Sequence, residues 1–218
     1  VASVADSLFL VAFAAVIWRE VLTGRNWRNL PVCGLVTLFA LANVAFHHPS
    51  AVVGDVGVRL ALGAATVLIG LIGGRIVPSF TRNWMKARSM TPEPSLFGHI
   101  DRLALALTVV GAGLWVAAPQ TTVTGAALAL AGAAHLLRLA RWRGWRAAAE
   151  PLVWILHLGY GWLGVGLLFL GGTALNPGLV PRSAGIHALT AGAVGVMTLA
   201  VMTRATRGHT GRPLAADA

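Results

Sequence analysis

Residues 151–172 read PLVWILHLGYGWLGVGLLFLGG, 22 consecutive positions without Asp, Glu, Lys or Arg. A helix needs about 20 predominantly apolar residues to cross the hydrocarbon core of a bilayer. The run is rich in Leu and Gly and lacks the period-two alternation of a barrel strand. It therefore predicts a transmembrane helix. Similar apolar runs lie at 2–22, 30–47, 57–80, 101–118, 121–141 and 183–204. Together the runs predict an all-α fold, a polytopic transmembrane helical bundle of about seven spans forming one domain over residues 1–218.

Composition leads to the same class. Of 218 residues, 56% are apolar and 11% charged, against about 25% charged in a soluble domain. Mean hydropathy is +0.74. Disorder is excluded, and an ordinary soluble enzyme could not hide this much apolar surface. A single cysteine, Cys33, excludes a disulfide framework and Cys-rich metal sites. No basic segment precedes a short apolar core, so no cleavable signal peptide is read. The chain opens on Val1 within an apolar run and carries an odd number of spans. Both features predict a fragment of a longer protein.

A net charge of +10 invites a nucleic-acid reading, but the placement of the charges opposes it. Fifteen of the 17 basic residues fall on alternate junctions, counting the tail; the exceptions are Arg59 and Arg182. The positive-inside rule then puts those junctions and the C-terminal tail in the cytoplasm and the N-terminus outside. The charge is topological. The partner it implies is the lipid bilayer, not a nucleic acid.

Ionisable residues inside a membrane are costly and usually functional. Carboxylates are nearly absent from the span centres, but histidines are not. His47 and His48 end the second span, and His99 and His209 lie at the basic edge. His135, His157 and His187 fall within spans. His135 and His157 are each 11 residues from Arg146, so antiparallel helices would hold them at similar depth. Each imidazole nitrogen in hydrocarbon needs a partner. Haem or copper ligation is one solution; hydrogen-bonded structural histidines are the other. Trp154, His157, Tyr160, Gly161 and Gly164 share one stripe of the sixth span, suited to a porphyrin edge or to plain core packing. Met197 and Met202 are thioethers able to bind Cu(I) or to fill gaps. Gly70, Gly73 and Gly74 mark a close-packing face. Residues 73–84, GGRIVPSFTRNW, read as a turn-rich loop closing the third span. Arg75 in it either snorkels to the interface or pairs with a bidentate anion such as a haem propionate.

Three stretches carry a resemblance. They are Gly73–Trp84; His135–Arg146, continuing through Glu150-Pro151 to Leu156–Tyr160; and His187–Arg204, followed by Gly208–Arg212. The sequence resembles the NnrS family of bacterial membrane proteins, whose members are about twice as long; the resemblance places it as a middle-to-late fragment. It implies a multi-pass protein of the bacterial inner membrane that contains haem b and copper. It also implies a link to nitric oxide tolerance and nitrosative stress in denitrifying and pathogenic bacteria. It does not by itself imply an enzymatic activity. The family pattern lands on Arg75, Arg82, His135, His157, Tyr160, His187, Arg204 and His209. The residues expected at a cofactor are accordingly His135, His157, His187, Arg75, Arg82 and Tyr160, the two arginines anchoring propionates. Metal ligands are expected among His157, His187, His135, His209 and Met202. Nitric oxide or a nitrosyl species is the implied ligand, with an electron-donor protein unspecified. No Cys-x-x-Cys-His motif is present, so haem would be held noncovalently. The alternative is a metal-independent transporter or exporter, which would want buried polar residues along a path. A structural or sensory subunit is a third reading.

Overall fold

The structure, a computed structural model, describes residues 2–214 and contains helices but no strand among them. The long helices are α1 (Ala2–Thr23), α2 (Leu30–Phe46), α3 (Ala51–Lys86), α4 (His99–Ala117), α5 (Thr122–Arg141) and α6 (Pro151–Leu175). The last span is continuous but composite. It consists of α7 (Arg182–His187), a π-helical segment (Ala188–Gly195) and α8 (Val196–His209). Among the described residues six helical stretches, Trp27–Phe46 (α2 with the turn before it), α3 to α6 and Arg182–His209, are long and apolar enough to cross a membrane. The protein is a multi-pass membrane protein. The first expected span, α1, is a further 22-residue helix carrying Asp6, Arg19 and Glu20.

Successive helices pack as neighbours, and α3 returns to touch α6 and the π-helical segment. The core gathers on α6, where Leu156, Tyr160, Leu163, Leu167 and Leu170 are buried with Val77, Trp115, Leu128, Leu189 and Met197. Small residues set this geometry. A Cβ on Gly171 would stand 2.8 Å from Gly125 O, and one on Gly132 would stand 2.7 Å from Gly164 O. Pairs of glycines seven residues apart thus let α5 and α6 approach backbone to backbone, the close packing that drives helix association in lipid.

Two segments differ from the sequence reading. Residues 73–84 are not a loop. They complete α3, which runs 36 residues with Pro78 inside it. Proline withholds the N–H that would bond Gly74 O. A helix interior can carry such a break where it is buried in protein; here Gly74 lies against the Arg138 guanidinium, whose Nη2 has no hydrogen-bond partner. The second difference is the π-helical stretch in the last span. Its small residues admit large neighbours: a Cβ on Gly192 would meet the Trp162 ring at 2.6 Å. Leu189 likewise fills the space over Gly166.

The charge pattern has a structural counterpart. Arg82 Nη2 donates to Pro94 O, Ser95 N to Arg141 O, and Arg146 Nη1 to Thr91 O. Two basic junction segments, between α3 and α4 and between α5 and α6, are thereby held together at one end of the bundle. The two exceptions, Arg59 and Arg182, both pair with Asp55. The two stray cations share this one carboxylate, which offsets half of their charge.

Candidate functional site

α4, α5 and α6 converge on a buried polar chain whose proton directions can be assigned. Thr108 Oγ1 donates its hydrogen to Ala104 O at 2.7 Å. It must therefore accept from His135 Nε2–H, also at 2.7 Å. His135 Nδ1 is then the acceptor, taking the Tyr160 hydroxyl hydrogen at 2.8 Å. The Tyr160 oxygen accepts from Arg138 Nη1 at 2.8 Å, and the same Nη1 donates to Gly70 O at 2.7 Å. Arg138 Nε donates to Asp101 Oδ1 at 2.5 Å, and Asp101 Oδ2 accepts from Gly98 N at 2.8 Å. His135, Arg138 and Tyr160 are all fully buried. A buried guanidinium without its carboxylate would be prohibitive, so Asp101 is the group that permits Arg138 to sit there.

The glycines of α3 make room for this chain. A Cβ at Gly70 would lie 3.1 Å from His135 Cε1, and one at Gly73 would lie 3.0 Å from Tyr160 Cδ2. The expected glycine face is therefore a bed for polar side chains. Trp142 closes the other side, its ring 4.6 Å from that of Tyr160.

His157 stands apart from this chain. Its Nδ1–H donates to Val153 O at 3.1 Å. Its Nε2 has only Thr81 Oγ1, at 3.3 Å, and that hydroxyl already gives its single hydrogen to Val77 O at 2.8 Å. The Nε2 lone pair is thus uncommitted. Orientation of one ring nitrogen by a backbone carbonyl, with the other nitrogen held open, is the usual arrangement of a metal-ligating histidine. Gly144 packs flat on the ring, where a Cβ would collide with it. Beside His157 lies an apolar cleft of about 750 Å³, walled by Leu139, Trp145, Trp154, Leu158, Gly161 and Trp162.

His187 repeats the arrangement on the last span. Its Nδ1–H donates to Ser183 O at 2.7 Å. It lines a second cleft of about 410 Å³ with Trp162, Phe169 and Gly192. Trp162 belongs to both clefts, so the two imidazoles border one continuous apolar face of α6.

The remaining expected residues are dispersed. Arg75 and Arg82 lie on a stripe of α3 with Leu71, Pro78 and Ser79, lining a different cleft. That stripe points away from Thr81, which faces His157. His209 is exposed at the end of α8, and Met202 is 61% exposed. Met197 fills space against Gly73 and Gly159. Arg204 is buried over the Phe80 ring at 4.2 Å, with no hydrogen-bond partner for Nε or Nη1. Among the described residues no three His, Cys, Asp or Glu side chains converge as a metal-holding group.

Comparison with known families decides the class. The family model described as NnrS protein matches residues 1–218. The chain belongs to the NnrS family. No curated protein and no solved structure matches it. For this NnrS chain, sequence reasoning missed Arg138, Asp101, Thr108, Thr81 and Gly144. One signal was present: Arg138 lies three residues after His135, on the same helical face, yet reads as one of the topological charges.

Proposed function

We propose that the protein is an integral membrane haem protein of the bacterial inner membrane that contributes to nitric oxide resistance, with His157 as the principal residue that would hold the haem. The observation that carries this reading is His157 itself: Nδ1 fixed by Val153 O, Nε2 uncommitted, and an apolar cleft of about 750 Å³ alongside. That size suits an organic cofactor, and three indoles supply flat walls. His187 has the same Nδ1 anchoring and borders the adjoining cleft. It is the candidate for a second site.

Haem iron supplies a site for nitric oxide or a one-electron relay. The chain's own residues do the rest. Val153 O keeps the His157 proton on Nδ1, leaving Nε2 as the donor. Gly144 packs against the ring, and Trp145, Trp154 and Trp162 line the cleft beside it. His135 has a different role: with both nitrogens engaged and no exposure, it and Tyr160 brace α4, α5 and α6 behind the cleft. Arg75 and Arg82 line a separate cleft that no imidazole enters, so propionate anchoring by them has no support from the cleft beside His157. Copper has weaker support: among the described residues no three His, Cys, Asp or Glu side chains gather, and His209 and Met202 are both exposed on α8.

The test is a reduced-minus-oxidised optical spectrum of the purified protein, with and without nitric oxide. A b-type signal that shifts with nitric oxide is expected. Absence of haem after supplementation during expression would overturn the reading in favour of a metal-independent transporter.

A further inference from the structure

The cleft bearing Arg75 and Arg82 is separate from the one beside His157. It lies at the basic end of the bundle, between the segment leading into α2, the last turns of α3 and the segment leading into α4. Its volume is about 410 Å³. Arg28, Arg75 and Arg82 supply three guanidinium groups around it. Arg82 is held by Glu93 at 3.4 Å and by Pro94 O at 3.1 Å. Arg28 and Arg75 have no ion-pair or hydrogen-bond partner among the described residues. Two positive charges are therefore left uncompensated over one concave surface. The remaining wall is apolar: Leu71 and Pro78 line the inside, and Leu96 and Phe97 project at 71% and 60% exposure.

A ligand for this surface carries an anion at one end and hydrocarbon at the other. The cleft sits where the bundle's charge pattern meets the bilayer interface, and basic pockets between helices at that level take anionic headgroups. No imidazole lines it, which separates it from the haem site proposed above.

We infer that the cleft formed by Arg28, Arg75 and Arg82 binds the headgroup phosphate of an anionic phospholipid, with Leu96 and Phe97 against its acyl chains. Arg28 and Arg75 contact the phosphate; Arg82, braced by Glu93, shapes the rim.

The test is thermal unfolding of the purified full chain in detergent, titrated separately with phosphatidylglycerol, phosphatidylcholine and inorganic phosphate. Phosphatidylglycerol is expected to raise Tm, and the other two are not. In the Arg28→Gln/Arg75→Gln variant, the concentration giving half the shift should rise about tenfold or more, since each lost cation weakens attraction to the anionic surface. Arg28→Gln and Arg75→Gln alone, each with a smaller rise, cover the case in which the double variant fails to fold. Arg88→Gln, outside the cleft, should leave the response as in the wild type. An unchanged phosphatidylglycerol response in the cleft variants would overturn the inference. A shift reproduced by inorganic phosphate alone would replace the lipid with a simple phosphate ion.

Discussion

Replacing Tyr160 by Phe removes one oxygen and nothing else from the centre of the bundle. That oxygen accepts from Arg138 Nη1 and donates to His135 Nδ1, each at 2.8 Å. Arg138 retains Asp101 and Gly70 O, so its loss is partial. His135 loses its only donor at Nδ1, and with 0% exposure it has no water to replace it. An orphaned buried acceptor costs about 1–3 kcal/mol. Interhelical bonds in membranes fall toward the low end, about 0.6 and at most about 1.7 kcal/mol each. Two bonds then give about 1–3 kcal/mol. For a chain of this length each kcal/mol corresponds to about 2–4 °C in Tm. Tyr160→Phe should therefore unfold about 2–12 °C below the wild type in the same detergent. The folded variant should keep its haem-to-protein ratio, because the hydroxyl points to His135 and not to the cleft. An unchanged Tm would refute the directional chain, and loss of haem at unchanged Tm would make Tyr160 a direct cofactor contact.

Other substitutions probe the same packing. Gly74→Ala places a methyl group on the Arg138 guanidinium; an overpacking cost of about 1–3 kcal/mol is expected, read as a lower Tm in detergent. Gly144→Ala drives a methyl group into the His157 ring and should lower haem content more than it lowers Tm, measured on one preparation by absorbance and unfolding. Asp55→Asn should destabilise more than Arg182→Gln. The first strips the buried Arg59 of its carboxylate, whereas the second breaks a half-exposed pair of about 0–1 kcal/mol. Equal Tm losses in those two variants would count against the shared role of Asp55.

Much of the fold is legible because span-forming segments carry their signal locally. The 151–172 run, the alternating basic junctions and the glycine spacings need no tertiary knowledge. Residues 73–84 misled because glycine and proline are read by their behaviour in water, where a freed carbonyl ends a helix. In α3 the helix runs on through Pro78 inside the bundle, where Gly74 packs against Arg138. The site is legible only as a set of histidines. Depth and residue type do not distinguish His135 from His157. What does is the count of hydrogens at Thr108, Tyr160 and Thr81, which depends on helices far apart in sequence. Arg138 and Asp101 were hidden for a related reason. Each sits beside other charges in the chain, and only the packing of α4 on α5 separates the buried pair from its solvated neighbours. Arg75 and Arg82 share the third span with Thr81, but the rotation of α3 directs them to another cleft.

The most direct test of the central claim is imidazole rescue at His157. Haem-to-protein ratio would be measured for the wild type and for His157→Ala, each purified with and without imidazole. Haem is expected in the wild type, to be lost in the variant, and to return when imidazole occupies the vacated space beside Gly144. Full haem occupancy in His157→Ala without imidazole would contradict the assignment of His157 as the residue that holds the haem.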